Sequence, residues 1–166
     1  NCLKPLRHRL TVWFMHFRKL GAVTAVLPFM PRYSRTPVSG AGVPLDAVVD
    51  VPSFCASVDG ASVALLPAVI ADSDFSRAVG RGATRIGYRD MADFATRLDA
   101  LCAGNSDARY IYAYWSDFDH MAHVHGPSSP QVAAHFQALD RALAGIAETC
   151  AKHGTALVAT ADHGFL

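Results

Sequence analysis

Two clusters of aspartate and histidine are the residues of this sequence best suited to chemistry. In the first, Asp119 and His123 lie four positions apart, so a single helical turn would bring both side chains to one side. In the second, Asp162 and His163 are adjacent. Carboxylate oxygens and imidazole nitrogens bind zinc at about 2.0–2.2 Å. Residue types and spacing therefore predict a metal site formed by Asp119, His123, Asp162 and His163.

Each cluster directly follows a segment with the composition of a β-strand. Residues 109–115 are rich in aromatic side chains, and residues 155–161 contain few polar ones. In a parallel sheet the carboxyl ends of the strands lie at one edge, where ligands bind. Two such strand ends could hold two ions about 4 Å apart, the spacing used in phosphoryl chemistry. We therefore expect the two clusters to converge.

Simpler interpretations of both clusters remain open at this point. The Asp-His-Gly sequence could form only a turn, because Asp and Gly both favour turns. His120, His123 and His125 could lie in a partly solvated loop. The occurrence of both clusters after two strands favours the metal interpretation, in which His123 and His163 point inward and His120 and His125 are more exposed. The other histidines are expected at the surface or at helix flanks: His8, His16, His135 and His153.

Helices separate the predicted strands. Asp90 can cap a helix over residues 91–101, which Gly104 ends. A longer helix begins at residues 128–130 and runs to Gly154, with apolar residues spaced alternately by four and three. Strands that alternate with helices predict an α/β fold, with a mostly parallel sheet covered by helices on both faces.

The first half of the chain has a weaker pattern. Apolar residues at helical spacing predict a helix over residues 10–20, and Gly21 follows as a stop signal. Short apolar runs closed by proline predict buried strands at residues 23–27 and 63–66. The segment between them is rich in Pro, Gly and Ser and predicts a loop, with a short helix near residues 52–58.

Composition excludes several classes of protein. The chain has 166 residues, 51% of them hydrophobic and 17% charged, so it is neither a disordered tail nor a coiled coil. A net charge of +1 gives no electrostatic footprint for nucleic acid. Apolar-rich stretches without a charged residue, such as residues 20–31, are twelve residues long, short of the roughly 20 that span a membrane. Four widely spaced cysteines favour buried free thiols.

The two clusters also carry a family resemblance. Asp119, His123 and Gly126-Pro127, followed by a helix and then by residues 160–164 (TADHG), resemble the alkaline phosphatase superfamily, and within it the nucleotide pyrophosphatase/phosphodiesterase branch. Three further segments are similar to bacterial members of that group: residues 13–23, 72–76 and 112–115. The resemblance covers nearly the whole chain, but only the two clusters are highly specific.

The resemblance implies a metal-dependent hydrolase of phosphoric esters, acting on small-molecule phosphodiesters or nucleotides. Asp119 and His123 would hold one zinc ion, and Asp162 and His163 a second. A Thr or Ser nucleophile would form a covalent phospho-enzyme, which water then cleaves. The resemblance places this nucleophile upstream of residue 1, so its identity is unknown here. Residues 1–166 would thus be part of one alkaline-phosphatase-like catalytic domain, truncated at both ends and by itself inactive.

Other functions are compatible with the same residues. Sulfatases of this superfamily carry a Cys-x-Pro-x-Arg motif, but the stretch from Cys2 to Arg7 has one residue too many. A phosphomonoesterase, phosphonate hydrolase or phosphomutase would use the same metal pair. A different class altogether would be a non-catalytic or degenerate metal-binding α/β domain.

Overall fold

The computed structural model describes residues 14–49, 52–104, 107–161 and 163–164. The strands are β1 (Phe14–Phe17), β2 (Ala22–Ala25), β3 (Met30–Pro31), β4 (Ala61–Pro67), β5 (Ala83–Tyr88) and β6 (Ala108–Ala113). The helices are α1 (Asp74–Val79), α2 (Met91–Cys102), α3 (Asp117–His125) and α4 (Pro130–His153). Two short 3-10 helices span Leu45–Ala47 and Cys55–Ser57, the second within the predicted 52–58 segment.

A parallel sheet of β5, β4 and β6, in that order, forms the centre of the fold. The middle strand, β4, is an apolar run buried along almost its whole length, as expected for a strand covered on both faces. Leu65 at its centre lies opposite Ile86 on one side and Ala113 on the other. The predicted α/β class and the parallel sheet are confirmed.

Helices α2 and α4 cover one face of this sheet. Their shared core contains Leu65, Tyr88, Phe94, Leu98, Cys102, Ile146 and Cys150. Both helices begin where the sequence predicts, because the Asp90 carboxylate accepts the Asp93 N–H and the Ser129 hydroxyl oxygen accepts the Val132 N–H. Gly154 ends α4 in the left-handed conformation, with φ of 69°. On the opposite face of the sheet, side chains of β4 pack beside the turn before α1.

The N-terminal part of the described chain is a separate antiparallel sheet of β1, β2 and β3. The helix predicted over residues 10–20 is therefore wrong for residues 14–20, and residues 10–13 lie outside the described ranges. Phe14 pairs with Ala25, and Gly21, with φ of 59°, closes the hairpin instead of ending a helix. The core of this unit contains Phe17, Val26, Phe29, Val38, Val48 and Ala78.

The strand predicted over residues 155–161 is also not observed. This segment has no regular secondary structure, and it is exposed apart from the half-buried Thr155. A strand needs a hydrogen-bonded neighbour, and this segment pairs with neither β5 nor β6, the edge strands of the described sheet. The start of the segment is held by Thr155, whose N–H donates to the carbonyl oxygen of Cys150 and whose hydroxyl donates to that of Cys102.

The prediction of buried free thiols is confirmed for the three cysteines that lie in the described residues. Cys55, Cys102 and Cys150 are free thiols and buried, whereas Cys2 lies outside the described residues. Among the helices that the structure describes, none has the length and hydropathy needed to cross a bilayer.

Candidate metal centre

Helix α3 presents the first predicted cluster. The helix begins just after β6 and ends at Gly126, whose φ of 82° stops it. Asp119 lies in its first turn, where a carboxylate is favoured by the positive end of the helix dipole. One turn later, the Nε2 atom of His123 is 3.4 Å from Oδ1 of Asp119. The four-residue spacing therefore places both groups together, as predicted.

His163 approaches the same carboxylate from a different part of the chain. Its Nε2 atom lies 3.6 Å from Oδ1 of Asp119. Its Nδ1 atom is 3.1 Å from the carbonyl oxygen of Gly164. Because a carbonyl can only accept, Nδ1 carries the proton, and in the neutral ring the lone pair is on Nε2, facing Asp119. The two predicted clusters thus converge at Asp119; Asp162 lies outside the described residues.

The exposure of these side chains differs from the prediction. The side chain of His123 is 70% exposed and that of His163 is 52% exposed, so the expectation that both point inward is wrong. The buried position of α3 is Ala122, and His123, the next residue, is rotated about 100° away from it. His120 and His125 are exposed too, so exposure does not separate them from His123 and His163.

The Oδ1 atom of Asp119 provides a test of whether a metal ion fits here. This oxygen is inaccessible to solvent, although the Asp119 side chain as a whole is 47% exposed, and it has no hydrogen-bond partner among the described residues. A buried polar atom without a partner is unfavourable. Two ligands of a tetrahedral zinc ion are about 3.3 Å apart, given bonds of about 2.0 Å. The 3.4 Å between Asp119 and His123, the pair predicted to hold one ion, is close to this value. An ion beside Oδ1 would therefore satisfy the orphaned oxygen.

The ligand set in the described ranges is incomplete. There, no group of three or more His, Cys, Asp or Glu side chains forms a metal-binding cluster. Asp119 instead contacts His123 and His163 in two separate pairs. With protonated imidazoles the same pairs would be ion pairs, and at this exposure each would contribute little to stability, on the order of 0–1 kcal/mol.

An aromatic cluster supports the connection from β6 to α3. The Trp115 ring stacks on Tyr88 at 5.3 Å between centroids and contacts Phe94 at 5.1 Å. The Tyr88 hydroxyl donates to the carbonyl oxygen of Tyr114 at 2.8 Å. Burial, together with the charge of Asp117, raises the pKa of Tyr88, so this hydroxyl keeps its proton.

His135 belongs to the same cluster, although the sequence prediction placed it at the surface or at a helix flank. The Nε1–H group of Trp115 donates to Nε2 of His135 at 3.0 Å. A signal for this position exists in the sequence. His135 follows Val132 by three residues and precedes Leu139 by four, which puts it beside the apolar stripe of α4.

Comparison with known proteins identifies the family of the chain. The family model for type I phosphodiesterase / nucleotide pyrophosphatase matches residues 13–166. No significant match was found among curated proteins or among solved structures. The matched region contains the parallel sheet, all four helices and both Asp/His clusters. The chain therefore belongs to the type I phosphodiesterase / nucleotide pyrophosphatase family, within the alkaline phosphatase superfamily.

Proposed function

We propose that this protein is a zinc-dependent phosphodiesterase or nucleotide pyrophosphatase whose metal centre includes Asp119, His123, Asp162 and His163. One observation carries the proposal. The buried Oδ1 atom of Asp119 lies within 3.4 Å and 3.6 Å of imidazole nitrogens that come from separate parts of the chain. Family membership gives the reaction class, hydrolysis of a phosphoric ester.

In this proposal, Asp119 and His123 hold one zinc ion, and Asp162 and His163 hold a second. Bound zinc would activate a nucleophile and stabilise the charge that develops on the phosphoryl and leaving oxygens. The carboxylate of Asp119 supplies the negative charge that favours a cation at this point. The contact of His163 Nδ1 with Gly164 fixes the orientation of its ring, with Nε2 directed at the centre.

The substrates that fit this chemistry are small-molecule phosphodiesters and nucleotide pyrophosphates. In the proposed reaction, a Thr or Ser hydroxyl attacks phosphorus and the ester alcohol leaves. Water then cleaves the phosphorylated side chain and releases the second product. We assign no residue of this chain as the nucleophile.

A second candidate function is metal binding without catalysis. It is favoured by the exposure of His123 and by the incomplete ligand set in the described ranges. In this case zinc would stabilise the segment around His163 against α3, and no ester would be hydrolysed.

Zinc titration of the full-length protein tests the metal centre. We expect Asp119→Asn to weaken zinc binding by at least tenfold, because it removes the charge shared by both histidines. Asp140→Asn, at an exposed position on α4, is the matched control and should bind zinc like the wild type. Equal affinity in Asp119→Asn and wild type would refute the metal centre.

Hydrolysis separates the two candidate functions. With added zinc, the full-length protein should hydrolyse bis(p-nitrophenyl) phosphate, and Asp119→Asn should be slower by orders of magnitude. Parallel assays with p-nitrophenyl phosphate and p-nitrophenyl sulfate distinguish a phosphomonoesterase and a sulfatase. Zinc binding without turnover of any of these esters would favour the non-catalytic function.

A further inference from the structure

We propose that His135 is a positioning residue for the metal centre: it holds Trp115, and through Trp115 the first turn of α3, so that the Asp119 carboxylate is correctly placed. The inference rests on the proposed function, because it assigns a role toward the metal that Asp119 would bind. It concerns a histidine of α4 that contacts the connection to α3.

The start of α3 needs support from outside the helix. Its N-cap residue, Ser116, accepts no backbone N–H of the first turn with its side chain, and its hydroxyl instead donates to the Asp117 carboxylate at 3.2 Å. Helices α2 and α4, by contrast, both have a side-chain cap. The direction in which α3 leaves the sheet therefore depends on how residues 114–116 are packed.

Trp115 is the anchor of this connection. Its ring packs against Tyr88 at the end of β5 and Phe94 in α2. These apolar contacts fix the plane of the indole ring, but they leave the polar Nε1–H group to be satisfied. A partly buried indole N–H without a partner would be destabilising. His135 satisfies it at 3.0 Å.

His135 also reaches α3 itself. Its ring lies beside that of Phe118, with centroids 6.5 Å apart and planes inclined by 23°. Phe118 is the residue directly before Asp119. His135 thus bridges the Trp115 anchor and the helical turn that carries the candidate ligand.

The chemistry of the pair requires a hydrogen-bond acceptor at position 135. Indole Nε1–H can only donate, so the Nε2 atom of His135 must accept and the ring proton is on Nδ1. Glutamine can place its amide oxygen near the position of Nε2, whereas leucine fills similar space without an acceptor. A His135→Gln and His135→Leu pair therefore separates the hydrogen bond from packing.

The test measures zinc affinity and steady-state kinetics of the full-length protein. We expect His135→Leu to weaken zinc binding about tenfold, in the range found when supporting residues of metal sites are removed. It should also lower kcat with little change in KM. The zinc affinity of His135→Gln should lie within about twofold of the wild-type affinity. His153→Leu, an exposed histidine of the same helix, is the matched control and should change neither quantity.

The outcomes distinguish this inference from the proposed function. If Asp119→Asn loses zinc but His135→Leu binds it like His153→Leu, the positioning role is wrong and the metal centre stands. If Asp119→Asn binds zinc normally, the proposed function itself fails. A His135→Gln variant no better than His135→Leu would also refute the hydrogen-bond role.

A second variant covers the case in which His135→Leu does not fold, which its thermal unfolding would reveal. Trp115→Phe keeps an aromatic ring between Tyr88 and Phe94 but removes the N–H donor. It should show the same weakening of zinc affinity as His135→Leu. Wild-type affinity in Trp115→Phe would overturn the inference.

Discussion

The Nε2 atom of His163 lies 3.6 Å from the Oδ1 atom of Asp119, although the 24-residue helix α4 separates the two residues in the chain. His123 contacts the same oxygen from within α3. One carboxylate atom thus links the two clusters that the sequence singles out.

This shared atom predicts energetic coupling between Asp119 and His163 in zinc binding. His163→Ala should weaken zinc affinity strongly in the wild-type background. It should have a much smaller effect when Asp119 is already Asn, because the second substitution then removes a ligand from a centre already disrupted. The measurement is a double-mutant cycle of zinc dissociation constants.

His125→Ala is the control for this cycle, since His125 is an exposed histidine of α3 that was predicted not to be a ligand. It should leave zinc affinity unchanged. Additive losses for Asp119→Asn and His163→Ala would show that the two side chains do not share one centre.

Leu65 should be a major contributor to the stability of the fold. Its side chain is fully buried at the centre of β4, between the sheet and the helices α2 and α4. Leu65→Ala should lower the free energy of unfolding by about 2–5 kcal/mol, through lost burial and the cavity left behind. Urea denaturation measures this loss. Val69→Ala, at a position that is 92% exposed, should change stability little.

The Asp90 cap provides a more local test. Its carboxylate accepts the backbone N–H of Asp93 at 2.9 Å at the start of α2. Asp90→Ala should lower the free energy of unfolding by about 1 kcal/mol, whereas Asp90→Asn keeps an acceptor and should cost much less. Equal thermal midpoints for the Ala and Asn variants would contradict a capping role.

Stability should fall at alkaline pH because of a buried thiol. Burial, together with the contact with Cys150, raises the pKa of Cys102 to about 12. In the unfolded state the pKa of this thiol is roughly 8.5. At pH values above about 8.5 the unfolded thiol loses its proton, whereas the folded thiol keeps it. The stabilisation is fully present below about pH 8.5 and is lost as pH rises toward the folded value.

The measurement is urea unfolding at several pH values between about 8 and 9, below the pKa of about 10 at which tyrosines titrate. Cys102→Ala should flatten the decline in stability with pH. Cys55→Ala leaves the Cys102–Cys150 contact in place and should keep the decline. If the free energy of unfolding of Cys102→Ala declined with pH as steeply as that of the wild type, this explanation would be contradicted.

Elements with strong local signals could be predicted from the sequence. The caps at Asp90 and Ser129, with Gly154 at the other end of α4, bound their helices as expected. The convergence of Asp119 and His163 is expected from the rule that ligand sites form beyond strand ends. Asp119 follows β6 as the rule requires, but residues 155–161 form no strand, so the rule does not explain the position of His163.

The errors arise where one local pattern is compatible with two structures. Phe14 and Phe17 are three residues apart, which suits a helix, yet the four residues that include them form a short strand. Gly21 suits a helix end or a hairpin equally well, because both need positive φ. Only the pairing of Phe14 with Ala25, a non-local contact, decides between them.

His135 and residues 155–161 illustrate a second limit. The environment of His135 depends on Trp115, which a different element supplies, so spacing along α4 could suggest its side of the helix but not its partner. The β-propensity of residues 155–161 is real, but propensity does not provide a neighbouring strand.

The rigidity of α4 has a consequence for how the length of this protein can vary among its relatives. The helix is about 36 Å long. Its side chains Ile146 and Cys150 are buried in the core and so fix its rotation about its own axis. Inserting one residue within it would turn everything that follows by about 100° and move it by about 1.5 Å. His163 would then leave Asp119. Insertions and deletions between the two clusters should therefore accumulate in the connection at residues 126–129 and be absent from α4.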